Sequence, residues 1–588
     1  MISRRPVEDA ALDAFVGSAA CTACHADIAR KYAAHPMARS ISAVSQAAVI
    51  EDYSEVVSFA PPGPRRYRVE RLGDRVWHHE EMRATVSANA SSDGAAEIIY
   101  DQGVEIGYAL GSGTRGRSYL IDHDGQFFAS SINWYTAASR WDLAPGYPPA
   151  NHLRFERMIP EECLFCHSGR TSPAQPAVGR YADPPFHETT IGCERCHGPG
   201  RRHVDQQRAG AAPNNLEAAI VNPANLDPDR RDSVCNQCHL HGEYRGLRFG
   251  KALADFRSGQ RLDDVLCVLV RPAPPQEQGA LRAVSQVEQV RASACFRQSA
   301  GALGCISCHD PHELPQVTDR EDYYRQKCLA CHADHGCSLA VEERQNPPAN
   351  DSCIHCHMPR TAAGGIPHTA QTDHRILRRS SAQDLPDQHD LGTLVFFGDS
   401  SAVVPAWEQA RARGMMLLDL SQWREDRVRL AAQAEKLLRE ALAQAPDDLA
   451  ALQSLGTSLL RQSRQRDALE CWDRILEREP DRGETLHTQA VLCQAIGEFD
   501  KAGRSFERLI RLSPWHAELH SRYAQLLART GDWAGVVAAA RRAIEIDPTQ
   551  TESRELLAVG LARLNRQAES RQQVEILGKI RAAAETFD

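Results

Sequence analysis

Cys193-Glu-Arg-Cys196-His197 is one of seven copies of a single pattern, Cys-x-x-Cys-His, lying between residues 21 and 357. The others are Cys21-Thr-Ala-Cys24-His25, Cys163-Leu-Phe-Cys166-His167, Cys235-Asn-Gln-Cys238-His239, Cys305-Ile-Ser-Cys308-His309, Cys328-Leu-Ala-Cys331-His332 and Cys353-Ile-His-Cys356-His357. Two thiols three positions apart can add across the two vinyl groups of one porphyrin, while the adjacent imidazole turns back onto the iron. The pattern therefore predicts covalently attached haem c, seven groups in all, with the paired cysteines as attachment points. His25, His167, His197, His239, His309, His332 and His357 are the expected proximal ligands. Zinc, the rival use of paired Cys-x-x-Cys, does not require a histidine straight after the second cysteine, and every pair here has one.

Of the 19 cysteines, 14 belong to the motifs, leaving Cys267, Cys295, Cys337, Cys471 and Cys493, an odd set without the spacing of a disulfide framework. The 588 residues, 42% hydrophobic and 25% charged, have the balance of a soluble multidomain chain. A net charge of −9 argues against nucleic acid as a partner. Haem attachment implies export, and the expected location is periplasmic or otherwise outside the cytoplasm. The first residues carry Arg4 and Arg5 but no apolar run of signal-peptide length, so either the start is assigned too late or the sequence is trimmed. No apolar stretch is long enough to suggest a membrane span.

The pattern of the chain predicts a mainly α protein: a multihaem cytochrome c domain over 14–390 with little regular structure, a linker over 391–414, and an α-solenoid over 415–588. At roughly fifty residues per haem the porphyrins themselves must form much of the first domain's core. Within it, about 50–145, short alternating segments such as Tyr67-Arg-Val-Glu-Arg-Leu72 and Ser118-Tyr-Leu-Ile-Asp122 indicate a small antiparallel β-rich insertion. Asp124-Gly125 is a hairpin signal. Gly111-Ser-Gly-Thr-Arg-Gly-Arg-Ser118 is either a plain hairpin loop or a clasp for a propionate. In the last region Pro446, Pro480, Pro514 and Pro548 recur every 34 residues. Ala434, Ala468 and Ala502 share one position of that repeat, and Leu438, Trp472 and Phe506 share another. This is the tetratricopeptide period, whose arrays commonly receive a protein partner.

Function turns on each iron's sixth position. A haem with two imidazoles transfers electrons without binding substrate, whereas an open position can do chemistry. The candidate distal ligands are His35, His152, His203, His312, His335, His368 and His374. His203 and His312 follow their motifs across sharp Gly- and Pro-containing turns, and His368 and His374 lie in a polar stretch past the last motif. His78 and His79 are expected to be surface residues of a strand. Arg201, Arg202, Arg360 and Arg375 are candidate propionate partners.

With these residues in view the chain resembles the bacterial multihaem c-type cytochromes whose repeated Cys-x-x-Cys-His domain is fused to C-terminal tetratricopeptide repeats. The resemblance rests on Phe15-Val-Gly-Ser-Ala-Ala-Cys21 with its motif, Ile191-Gly-Cys193 through Gly200, Ser293-Ala-Cys295-Phe through Pro311-His312, and Cys353 through Ile376. That group is similar to the superfamily of hydroxylamine oxidoreductase and pentahaem nitrite reductase, which implies closely stacked haems with His/His ligation. The chain departs from it in having no Cys-x-x-Cys-Lys motif and seven motifs instead of eight, and nothing marks Tyr323 or Tyr324 as a crosslinked tyrosine. The expected function is electron transfer along a haem chain, with the repeats docking a redox partner protein. The alternative is a multihaem oxidoreductase of a small nitrogen or sulfur compound at one open haem.

Overall fold

In every motif the two cysteines lie on one helical turn. The computed structural model describes residues 14–53, 57–84, 97–149, 152–174, 179–210, 219–272, 285–333, 336–360, 372–378 and 394–585. Within them the motifs fall on helices Ser18–Thr22, Glu161–His167, Cys193–His197, Pro228–His239, Cys305–Cys308, Arg320–His332 and Cys353–His357. In the first, the turn continues past Thr22, with the Cys24 and His25 N–H groups both donating to the Cys21 carbonyl. Residues three apart share a helical face. Each cysteine pair is therefore presented on one side, as a single two-armed attachment requires.

The chain divides into two compact units, Met1–Ala38 with Ile191–Gln462, and Arg39–Thr190 with Ser463–Asp588. The first unit holds six of the seven motifs, on short helices joined by loops. It also contains an antiparallel sheet of Tyr244–Leu247, Leu266–Val270 and Val395–Phe396. Residues 394–414, expected as linker, are thus folded. Leu394 and Phe396 are buried, Val395 pairs with Val270, and helix Ala406–Ser421 is tied down by Glu408, which accepts from Arg248 at 2.7 Å. Helices Arg427–Gln444 and Leu449–Arg461 complete the unit.

The second unit begins with the β-rich region, which runs further than 50–145. Its four-stranded sheet is Val57–Phe59, Arg65–Leu72, Arg75–Arg83 and Ile98–Ile106. A seven-stranded sheet joins Ile41–Ala43, Tyr108–Leu110, Gly116–His123, Gln126–Ala129, Ile132–Tyr135, Arg140–Leu143 and Arg157–Met158. Alternation drives this pairing. Along Arg75–Arg83 the even-numbered Val76, His78, Glu80 and Met82 point inward. Asp124 and Gly125 both have positive φ, 54° and 81°, and close the hairpin between His123 and Gln126 in two residues. The loop 111–115 is a hairpin connection, and Arg117 beyond it is buried against Glu51 at 2.8 Å.

This β region shares its unit with the C-terminal helices. Buried Arg154 donates to Glu80 at 2.5 Å and to Gln102 at 2.5 Å, and pairs with Asp547. Ala517 N–H donates to Glu156 at 2.7 Å, and the Trp515 ring lies 4.3 Å from that of His123. The C-terminal region consists of helical repeats. Gln465–Arg478, Gly483–Ile496, Phe499–Leu512, Ala517–Thr530, Trp533–Ile546, Thr551–Arg563 and Gln567–Glu585 pack each on the next. Pro480, Pro514 and Pro548 fall in the loops between helices, and Gly497 and Gly531, at φ 89° and 82°, close helices in the left-handed conformation. Ala468, Trp472, Ala502 and Phe506 are fully buried at equivalent positions. Each large ring stabilises the stack by about 3 kcal/mol. Among the described residues no helix is long and apolar enough to cross a membrane.

Candidate metal centre

Three motif imidazoles each face a second imidazole from a distant segment. His25 and His203 have ring centres 6.4 Å apart, His197 and His312 6.0 Å, and His309 and His374 6.4 Å. Face-to-face contact needs a much closer approach. Two imidazoles that held one metal between them, each through a nitrogen at about 2.0 Å with about 1.1 Å from nitrogen to ring centre, would have ring centres about 6.2 Å apart. The observed ring-centre separations are close to that value, at interplanar angles of 20°, 6° and 25°.

The outer nitrogens are held as metal ligands require. Nδ1 of His197 lies 2.8 Å from the Val221 carbonyl, Nδ1 of His357 2.8 Å from the Leu377 carbonyl, and Nδ1 of His374 2.9 Å from the Thr372 carbonyl. A carbonyl can only accept, so each Nδ1 carries the proton and Nε2 keeps its lone pair for a metal. Nδ1 of His309 lies 3.3 Å from the Tyr324 hydroxyl. Burial lowers the pKa of His239 and of His374, and lowers that of His197 with help from His312, His25 and His203. His309 is brought to about 4 by burial and by His374, His239, Arg320 and His35. These rings are neutral at pH 7, the ligating form.

A buried carboxylate fixes the first motif against the third. Glu194, 4% exposed, accepts from Val16 N–H at 2.9 Å, Gly17 N–H at 2.7 Å and Gly200 N–H at 2.7 Å. Cys193 N–H donates to the Ser18 hydroxyl at 2.9 Å, and the Tyr32 hydroxyl donates to the Ile191 carbonyl at 2.7 Å. Sequence reasoning missed Glu194, because the two positions between the motif cysteines are chemically free and carry no signal.

The remaining predicted residues divide. The 19 cysteines are all without disulfides. Cys163, Cys166 and His167 lie in the second unit, where Leu164 joins a core of Ile41, Leu120, Phe127 and Tyr181. His35 sits close to Tyr32, ring centres 5.8 Å apart, and its Nδ1 accepts Met37 N–H at 3.2 Å; Tyr32 in turn is 6.4 Å from His312. His152 is committed elsewhere: Nδ1 accepts Arg154 N–H at 2.9 Å and Nε2 lies 2.9 Å from the Tyr67 hydroxyl. Both of its ring nitrogens are thus hydrogen-bonded within the second unit. His335 and His368 lie outside the described residues. His332 ends helix Arg320–His332, which packs on Cys353–His357. His78 is no surface residue; it is fully buried, with Nδ1 2.7 Å from the Ser130 hydroxyl, because strand alternation turns it inward. His79 is half-buried beside Asp101 and Arg68. Arg375 pairs with Asp373 at 2.7 Å, and Arg201 lies 3.7 Å from Asp205. Among the described residues no group of three or more His, Cys, Asp or Glu side chains is arranged to hold a bare metal ion.

No family model matches the chain. Over 97 residues it is 30% identical to the uncharacterised protein y4yS of Sinorhizobium fredii (strain NBRC 101917 / NGR234), covering 16% of this chain and 53% of that protein. The chain thus spans about half the length of this curated relative. Among solved structures it is similar to MamA AMB-1, 14% identical over 29% of this chain and 90% of that one, with a TM-score of 0.27. It is also similar to MamA MSR-1, 12% identical over 30% and 95%, with a TM-score of 0.27.

Proposed function

We propose that this chain is an exported c-type cytochrome that carries seven covalently bound haems and passes electrons among them, its tetratricopeptide-type repeats docking a redox partner protein. The observation that carries this reading is the set of three imidazole pairs at 6.0–6.4 Å. Haem, when bound, supplies a reversible one-electron couple. The chain's own residues do the rest. Paired cysteines on one helical face would anchor each group, and His197 and His357, whose Nδ1–H groups are held by the Val221 and Leu377 carbonyls, would offer Nε2 to it. His203, His312 and His374 would serve as second ligands at the sites of His25, His197 and His309, and a haem held by two imidazoles would transfer electrons without binding substrate.

Electron paramagnetic resonance of the oxidised, haem-loaded protein tests this. Low-spin ferric signals alone are expected; a persistent high-spin signal that responds to cyanide or nitrite refutes the pure relay. The alternative, a multihaem oxidoreductase acting at one haem with an open position, would give that high-spin signal.

A further inference from the structure

The three imidazole pairs share a rule. His203 follows the motif of His197 and faces His25; His312 follows the motif of His309 and faces His197; His374 follows the motif of His357 and faces His309. In each case the segment trailing one motif reaches back to an earlier site. The last is doubly tied, since the segment that contributes His374 also places the Leu377 carbonyl 2.8 Å from His357 Nδ1.

The other two motifs of this unit lie beside that line. On helix Pro228–His239, Gln237 donates to the Arg195 carbonyl at 3.4 Å, and Arg231 donates to the Gly301 and Leu303 carbonyls at 3.2 and 3.1 Å. This helix therefore touches both the His197 and the His309 motifs. On helix Arg320–His332, Tyr324 meets His309, and Arg325 donates to the Asp351 carbonyl at 2.9 Å, just ahead of the His357 motif. That helix touches both the His309 and the His357 motifs.

We infer that the sites of His25, His197, His309 and His357 form a continuous spine for electrons, each joined directly to the next by the trailing histidine, and that the sites of His239 and His332 flank the spine without interrupting it. The inference rests on the haem reading and deepens it. An electron given by a reduced donor at one end leaves to an oxidised acceptor at the other, and each site returns to its starting state.

Iron positions in the haem-loaded full chain, located by anomalous diffraction at the iron edge, test the order. The expected result is direct neighbours for the pairs His25/His197, His197/His309 and His309/His357, with the His239 iron beside the second pair and the His332 iron beside the third. An iron of His239 standing between those of His197 and His309, with the latter two not adjacent, overturns the inference. A chain without covalent haem would defeat the underlying reading, whereas a full complement in another order defeats only this inference.

Discussion

Replacing Glu194→Ala should loosen the join between the first and third motifs specifically. Its carboxylate is the acceptor for three backbone N–H groups, those of Val16, Gly17 and Gly200. A hydrogen bond to a charged group contributes about 1.5–3 kcal/mol, and each buried donor left without an acceptor costs about 1–3 kcal/mol. Water entering the alanine cavity restores part of this, so a local loss of about 3 kcal/mol is a conservative expectation. At about 1.4 kcal/mol per tenfold, that is roughly a hundredfold faster amide exchange. Hydrogen–deuterium exchange on the peptide containing Val16 and Gly17 reads it directly, with haem content measured alongside. Glu194→Gln keeps one acceptor oxygen and should fall between parent and alanine. Exchange at Val16 and Gly17 unchanged in the alanine variant, with all haems retained, would refute the clamp.

Three further outcomes are expected. His203→Ala, His312→Ala or His374→Ala should each convert one haem from low to high spin, restored by added imidazole; a spectrum unchanged by all three would exclude these residues as ligands. Arg154→Leu strands the buried carboxylates of Glu80 and Asp547, and should cost the second unit about 3–5 kcal/mol in urea unfolding; a change within 0.5 kcal/mol, about the scatter of neutral surface substitutions, would count against that network. Burial holds His78 at about 3 against an ordinary 6.5. The unfolded chain therefore takes the proton first, and stability falls as pH drops through 6.5 toward 3, by about 2 kcal/mol at pH 5. His78→Asn should flatten that slope; an equal slope in parent and variant would show another group to be responsible.

The helical turns of the Cys-x-x-Cys-His motifs and the helical repeats were legible because both signals are local. Cys-x-x-Cys-His fixes spacing, residue types and one helical turn at once, and the 34-residue proline period similarly carries its own buried alanines and rings. The distal candidates were legible only in part. His203, His312 and His374 sit where Gly, Pro or a polar stretch turns the chain back, but which motif each one meets depends on contacts 178, 115 and 65 residues away in sequence from its own position. His152 depends on the same kind of contact: its partner Tyr67 lies on a strand 85 residues earlier. The grouping of the β region with the C-terminal helices hangs on Arg154 and Asp547, 393 residues apart. No local pattern encodes such a pair. His78 shows the opposite failure, since the strand's alternation was visible but its inward phase depended on the second sheet.

The most direct measurement is covalent haem per polypeptide, by intact mass and haem absorbance, in protein made by a host with working cytochrome maturation. The account predicts seven, retained after acidic organic extraction. Colourless protein with the mass of the bare polypeptide would contradict it.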